Sequence, residues 1–125
     1  MVCKNEIFII LRATSDKEID IKDINLSKIW KKGDNKLPNN NVLKHHNFGF
    51  EISKKYYNKL DVQELLNGFF NDRDVKIFTK LDFVHKVLLI VVYSWDMLPT
   101  LNYNSKFLKF IGEHDIKLSH DLYIL

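Results

Sequence analysis

Lys86-Val87-Leu88-Leu89-Ile90-Val91-Val92-Tyr93-Ser94-Trp95 is the stretch on which the fold turns. It is rich in branched apolar side chains, holds no glycine or proline, and reads as the strongest strand of the chain, central in a sheet. Its apolar part, Val87 to Val92, is six residues long, far short of the ~20 that a membrane-spanning helix needs. A second run of the same character, Ile7 to Leu11 within Glu6–Thr14, has strand length and suggests a central strand covered on both faces.

Working inward, Phe48, Phe50 and Ile52 alternate with Gly49, Glu51 and Ser53, which reads as a strand with one packed and one wetted side. Asp61-x-x-Glu64 is a variant of the capping box, and it introduces Val62, Leu65, Leu66, Phe69 and Phe70 at helical spacing, so a helix is expected over 61–70. Its cap bond is expected between Asp61 and the amide of Glu64. Asp72 opens a second short helix over 73–82 on Val75, Phe78 and Leu81. Asn104 or Ser105 caps a third, which holds Phe107, Leu108 and Ile111, with Gly112 fitting a left-handed exit. The final segment places Ile116, Leu118, Leu122 and Ile124 on one side, with His120 among them, and is expected to be a strand buried against the first.

Two segments carry weaker signals. Ser15–Ile29 alternates acidic residues with Ile19, Ile21 and Ile24, which suits either a short helix capped near Ser15 or an irregular crossing. Lys31–Asn41, with Gly33-Asp34-Asn35 and Pro38-Asn39-Asn40-Asn41, reads as a loop and as the most mobile segment. The order of elements predicts an α+β two-layer sandwich: a mostly antiparallel or mixed sheet of about four to five strands, with helices packed on one face. At 125 residues, the expectation is a single domain over 1–125. Periodicity does not reveal the strand order.

Composition narrows the classes of function. With 46% hydrophobic and 28% charged residues, four glycines and two prolines, the chain is neither fibrous nor low-complexity. Cys3 is the one cysteine, so neither an internal disulfide nor a thiolate metal centre is available. No secretory leader is visible at the start, which makes a cytoplasmic location the expectation. The net charge of +3 is uneven: residues 28–59 hold eight basic and two acidic groups, whereas the flanking thirds are slightly acidic. A basic middle third suits an acidic partner or a phosphate backbone, and it equally suits a solvated lysine face.

The motifs of catalysis are missing. There is no nucleophile elbow, no Walker loop, no dinucleotide fingerprint and no RNP aromatic motif. His45 and His46 are adjacent and point apart on an extended strand, while His85, His114 and His120 are scattered. No metal or cofactor is therefore expected, and the Glu113-His114-Asp115 cluster coincides with a helix exit where polar residues belong. The chain reads as non-enzymatic. Tyr56-Tyr57, with Lys54, Lys55 and Lys59, forms an aromatic and basic interleaving of the kind that stacks on single-stranded nucleic acid.

An ordered set of motifs resembles a known family: Trp30-Lys31-Lys32-Gly33-Asp34, Gly49-Phe50-Glu51-Ile52-Ser53, the Leu65-Leu66 helix, Pro99-x-Leu101, and Asp121-Leu122-Tyr123. Over about residues 5 to 125 the chain is similar to the bacterial domain of unknown function 4279, which has a W-x-K-G-D-like loop and a closing strand with an acidic residue and a tyrosine. Between Ser15 and Ile29 the sequence departs from that pattern, being shorter and lacking a proline before Trp30, so the first helix of the family is expected to be reduced or missing. The resemblance implies a toxin-immunity protein, one that binds a cognate toxin domain of a contact-dependent or polymorphic toxin system. Lys28, Lys31, Lys32 and Lys36 would form an electrostatic rim for such a partner, with Trp30 and Asp34 in the contacting loop; the usual burial of tryptophan favours instead Trp30 packed on the core, with Gly33 and Asp34 making the turn. If the toxin is a nuclease with a basic cleft, Asp72 and Asp74 would serve instead. The alternative is a small basic nucleic-acid-binding protein using residues 28–59. Oligomeric state stays open.

Overall fold

A computed structural model describes residues 4–82 and 84–125; Cys3 lies outside the described residues. The elements in chain order are β1 (Asn5–Ser15), β2 (Lys28–Trp30), β3 (Asn35–Leu37), β4 (Asn40–Lys44), β5 (Phe48–Tyr57), α1 (Val62–Phe70), α2 (Arg73–Thr79), β6 (His85–Ser94), α3 (Ser105–Glu113) and β7 (Ile116–Ile124). Among them, β2, β5, β1, β6 and β7 form a five-stranded mixed sheet in that spatial order, and β3 pairs with β4 in a separate ribbon. The architecture is the α+β two-layer sandwich that the periodicity predicts.

The two apolar runs find each other. β1 and β6 pair antiparallel over their full length, with Ile9 opposite Ile90 and Leu11 opposite Leu88. β5 lies antiparallel on the other side of β1, with Leu11 opposite Ile52 and Ala13 opposite Phe50. Because side chains alternate along a strand, the odd residues of β1 from Ile7 to Ala13 share one face with Leu88, Ile90 and Val92, all fully buried. Onto this face pack Val62, Leu66 and Phe69 of α1, Val75 and Phe78 of α2, and Phe107 and Ile111 of α3. The Phe50 and Phe78 rings meet edge to face at 5.3 Å and join sheet to helix.

Each helix starts on a side-chain cap. Asp61 accepts from the amide of Gln63 at 3.0 Å, Asp72 from Asp74 at 2.9 Å, and Asn104 from Phe107 at 2.7 Å. The first of these differs from the expected Asp61–Glu64 bond by one residue. α2 ends at Thr79, not at 82, and there the buried Lys86 of β6 donates from Nζ to the Thr79 carbonyl at 2.7 Å. Burial lowers the Lys86 pKa, with Asp82 and Asp115 opposing. The ammonium sits where a helix C-terminus favours a cation.

Four further expectations need correction. β1 is central, yet the helices cover only one of its faces. Its other face, like that of β6, stays half-exposed. The final strand lies beside β6, parallel to it, with Ile90 opposite His120, and not against β1. A parallel return requires a crossover connection, which α3 supplies, and that leaves β7 at the sheet edge with its last five residues exposed. Gly112 is inside α3; the left-handed exit falls to Asp115, at φ 53°. Residues 31–41, expected as a loop, contribute β3 and the start of β4. The strand beginning at Phe48 runs to Tyr57, so the Tyr56-Tyr57 pair stands at its end. Of the two readings for Ser15–Ile29, the irregular crossing holds: the segment forms no helix before β2.

Candidate binding surface and cleft

Packing all three helices on one side leaves the other face of the sheet without a helix layer. By register, that face carries Glu6, Phe8, Ile10, Arg12 and Thr14 of β1, flanked by Val87, Leu89, Val91 and Tyr93 of β6 and by Gly49, Glu51, Ser53, Lys55 and Tyr57 of β5. Lys117, Ser119, Asp121 and Tyr123 of β7 border one edge, and Lys28 and Trp30 of β2 the other. Its centre is apolar and aromatic. Phe8 and Tyr93 meet edge to face at 6.1 Å, and Tyr93 stacks on Tyr123 at 4.9 Å.

Two ion pairs lie beside this centre. Arg12 Nε donates to Glu51 Oε1 at 2.9 Å, a bond that explains how Glu51, read as solvated, is only 7% exposed. Lys55 pairs with Glu6 at 3.5 Å, and its ammonium lies 5.1 Å from the centre of the Phe8 ring. The Tyr57 hydroxyl, with help from Glu6, holds the Lys55 pKa above its ordinary value despite opposing desolvation. An apolar centre with a polar rim is the anatomy of a protein interface.

At the β2 end, the Trp30-Lys31-Lys32-Gly33-Asp34 segment builds a cleft. Asp34 accepts the Lys31 amide on its carboxylate at 2.7 Å. Gly33, at φ 93°, takes the left-handed turn that other residues resist. Backbone bonds from Gly33 to His45 (2.9 Å) and from His45 to Asp34 (2.8 Å) then clamp the base of the β3–β4 ribbon. This brings His45 onto the Trp30 indole, ring centres 4.7 Å apart and 20° from parallel. Trp30 is 7% exposed, and its Nε1 donates to Asn47 Oδ1 at 3.4 Å.

Between ribbon and sheet opens a cleft of about 380 Å³, lined by Arg12, Thr14, Lys28, Trp30, Lys36, His45, His46, Asn47 and Glu51. Lys28 and Lys36 form no ion pair among the described residues. Desolvation first, and then the positive fields of Lys28, Lys36 and Arg12, lower the His45 pKa, with Asp34 opposing. The cleft is a region of positive potential.

The sequence-derived site residues separate into three groups. Lys28, Trp30 and Lys36 come together in the cleft. Lys31 turns away to Glu18 at 3.7 Å, while Lys32 and Asp34 belong to the turn. Asp72 and Asp74 lie on the helix side: Asp72 caps α2 and pairs with Lys54 at 3.2 Å, and Asp74 holds Arg73 at 3.0 Å. The basic excess of residues 28–59 is thus partly neutralised by acidic residues from elsewhere in the chain. His85, His114 and His120 occupy separate places, lining two different clefts and facing Tyr103. Among the described residues, no group of three or more His, Cys, Asp or Glu side chains could hold a metal ion.

Sequence reading overlooks Arg12, Thr14, His45 and Asn47 of the cleft, and Phe8, Ile10, Leu89 and Val91 of the open face. The signal for the first strand was available. Glu6, Arg12 and Thr14 recur at even positions, an alternation that a strand covered on both faces would not show. No helix among the described residues is long and apolar enough to cross a membrane. Comparison with family models, curated proteins and solved structures gives no match to this chain.

Proposed function

We propose that this chain is a non-enzymatic immunity protein that docks a cognate toxin domain on the helix-free face of its sheet. The observation that carries the reading is the half-exposed apolar centre of that face, Phe8, Ile10, Leu89, Val91 and Tyr93, beside the ion pairs Arg12–Glu51 and Lys55–Glu6. Four long strands at ~4.8 Å spacing, each about ten residues of ~3.3 Å, present roughly 600 Å². With the adjoining ribbon, that approaches the ~800 Å² per partner of a stable complex. The motif resemblance to domain of unknown function 4279 supplies the toxin-immunity class.

Charge favours a protein over a nucleic acid on this face. Lys28, Arg12, Lys55 and Lys117 stand against Glu6, Glu51 and Asp121, a near-balance that suits a mixed-charge partner. A phosphate backbone would demand a strong basic excess.

The test is co-expression with the toxin encoded beside the gene for this chain. Growth is expected to be rescued, and the double substitution Phe8→Thr with Leu89→Thr, which keeps strand propensity, is expected to weaken toxin binding about 30-fold or more. Rescue that survives the double substitution with unchanged affinity would remove the sheet face from the mechanism. Failure of rescue, together with steeply salt-dependent binding of random single- or double-stranded nucleic acid, would replace the immunity reading with the nucleic-acid one.

A further inference from the structure

We propose that the cleft between the sheet and the β3–β4 ribbon is a binding site for a phosphate-class dianion. Among the residues lining it, Arg12, Lys28 and Lys36 bring three positive charges against the single carboxylate of Glu51, while Asp34, outside the lining, acts on His45. That leaves a surplus of two, which a dianion cancels and a lone carboxylate does not. The Arg12 guanidinium is anchored: Nε donates to the nearly buried Glu51 at 2.9 Å, so the fork is oriented before any ligand arrives. Arginine presents its remaining donors in a geometry that matches phosphate oxygens, and charge-assisted bonds of this kind are the strong ones.

The neutral lining fits the same ligand. Thr14 and Asn47 offer uncharged donors. Both histidines, His45 and His46, line the cavity, and their ring nitrogens can donate to an anion. The Trp30–His45 stack forms a flat aromatic wall, against which an organic group carried by the phosphate can rest. The volume, about 380 Å³, is within the ~300–1,000 Å³ range of small-ligand pockets. The cleft shares Arg12, Thr14, Glu51, Lys28 and Trp30 with the proposed docking face, but the anion site does not rest on that reading, because it is tested on the isolated chain.

The experiment is an NMR titration of the full chain with inorganic phosphate and, separately, with phenyl phosphate, following the Trp30 indole N–H and the His45 ring. Saturable shifts are expected, with sodium chloride at matched ionic strength as the control. Bound phosphate should move the His45 titration upward, since the anion offsets the fields of Lys28, Lys36 and Arg12. Lys28→Gln and Lys36→Gln, both at exposed positions, should each weaken binding about tenfold, the worth of one charge-assisted bond. Lys32→Gln, outside the cleft, should leave it unchanged. Tighter binding of phenyl phosphate would identify a phosphorylated organic molecule as the natural ligand, and equal binding would identify free phosphate. A linear response that chloride reproduces, or equal losses in the Lys28, Lys36 and Lys32 variants, would overturn the proposal.

Discussion

Trp30 lies across Gly49, its direct partner in the β2–β5 ladder, so closely that a Cβ at position 49 would stand 2.0 Å from the indole Cζ2. This glycine is needed for the close approach of a ring, not for an unusual backbone angle. The contact joins a three-residue edge strand to the sheet and sets the wall on which His45 stacks.

Gly49→Ala should therefore expel the indole and expose it. The expected loss is about 2–3 kcal/mol, the scale of unburying one large aromatic side chain. Urea denaturation measures the loss, and combining Gly49→Ala with Trp30→Ala should cost clearly less than the two single changes together. Additive costs would mean that the two residues do not share one contact.

Asp72 couples the start of α2 to Lys54 of β5. The amide of Val75, and then the Lys54 ammonium, hold its carboxyl below the usual carboxylate range. A lowered folded-state pKa means that the stabilisation is present above the ordinary value of 3.8 and fades as pH falls through the folded value. Asp72→Ala should cost about 1 kcal/mol near neutrality, whereas Asp72→Asn, which keeps a capping oxygen, should cost less. The gap between wild type and Asp72→Ala should narrow in acid, as read from denaturation curves at stepped pH.

Tyr103 holds its hydroxyl 2.6 Å from His120 Nε2, and burial pushes its pKa up to about 12. Its contribution is complete below the ordinary value of 10.0 and is lost as pH rises through about 12. Wild type should then lose stability between these limits more steeply than Tyr103→Phe. In an absorbance titration of the five tyrosines, the latest phenolate to form in the folded protein should vanish in the variant. A variant that keeps the latest phenolate and instead loses one forming near 10.0 would show that Tyr103 ionises normally.

Legibility in the sequence follows the range of the interaction that decides each feature. Asp61, Asp72 and Asn104 announce their helices because a cap and its amide lie within three residues. The strand character of Lys86–Tyr93 is equally local. The hairpin at 35–44 was harder to see. Asn and Pro residues describe its turn, while its short strands lack apolar alternation; Val42 is 84% exposed. The cleft was legible only in part. Lys28, Trp30 and Lys36 stand out as a basic and aromatic segment, but Arg12 and Glu51 join them through a pairing that spans 39 residues.

The sequence by itself determined where the four long strands and the three helices form and that they make an α+β layer pair, since period and capping act over a few bonds. Tertiary structure alone decided that β7 runs parallel to β6 and that one sheet face stays bare. It also decided that two unpaired lysines meet an oriented arginine beside Trp30. Those outcomes depend on which distant strands share hydrogen bonds, and pairing partners far apart in the chain leave no local mark on either segment.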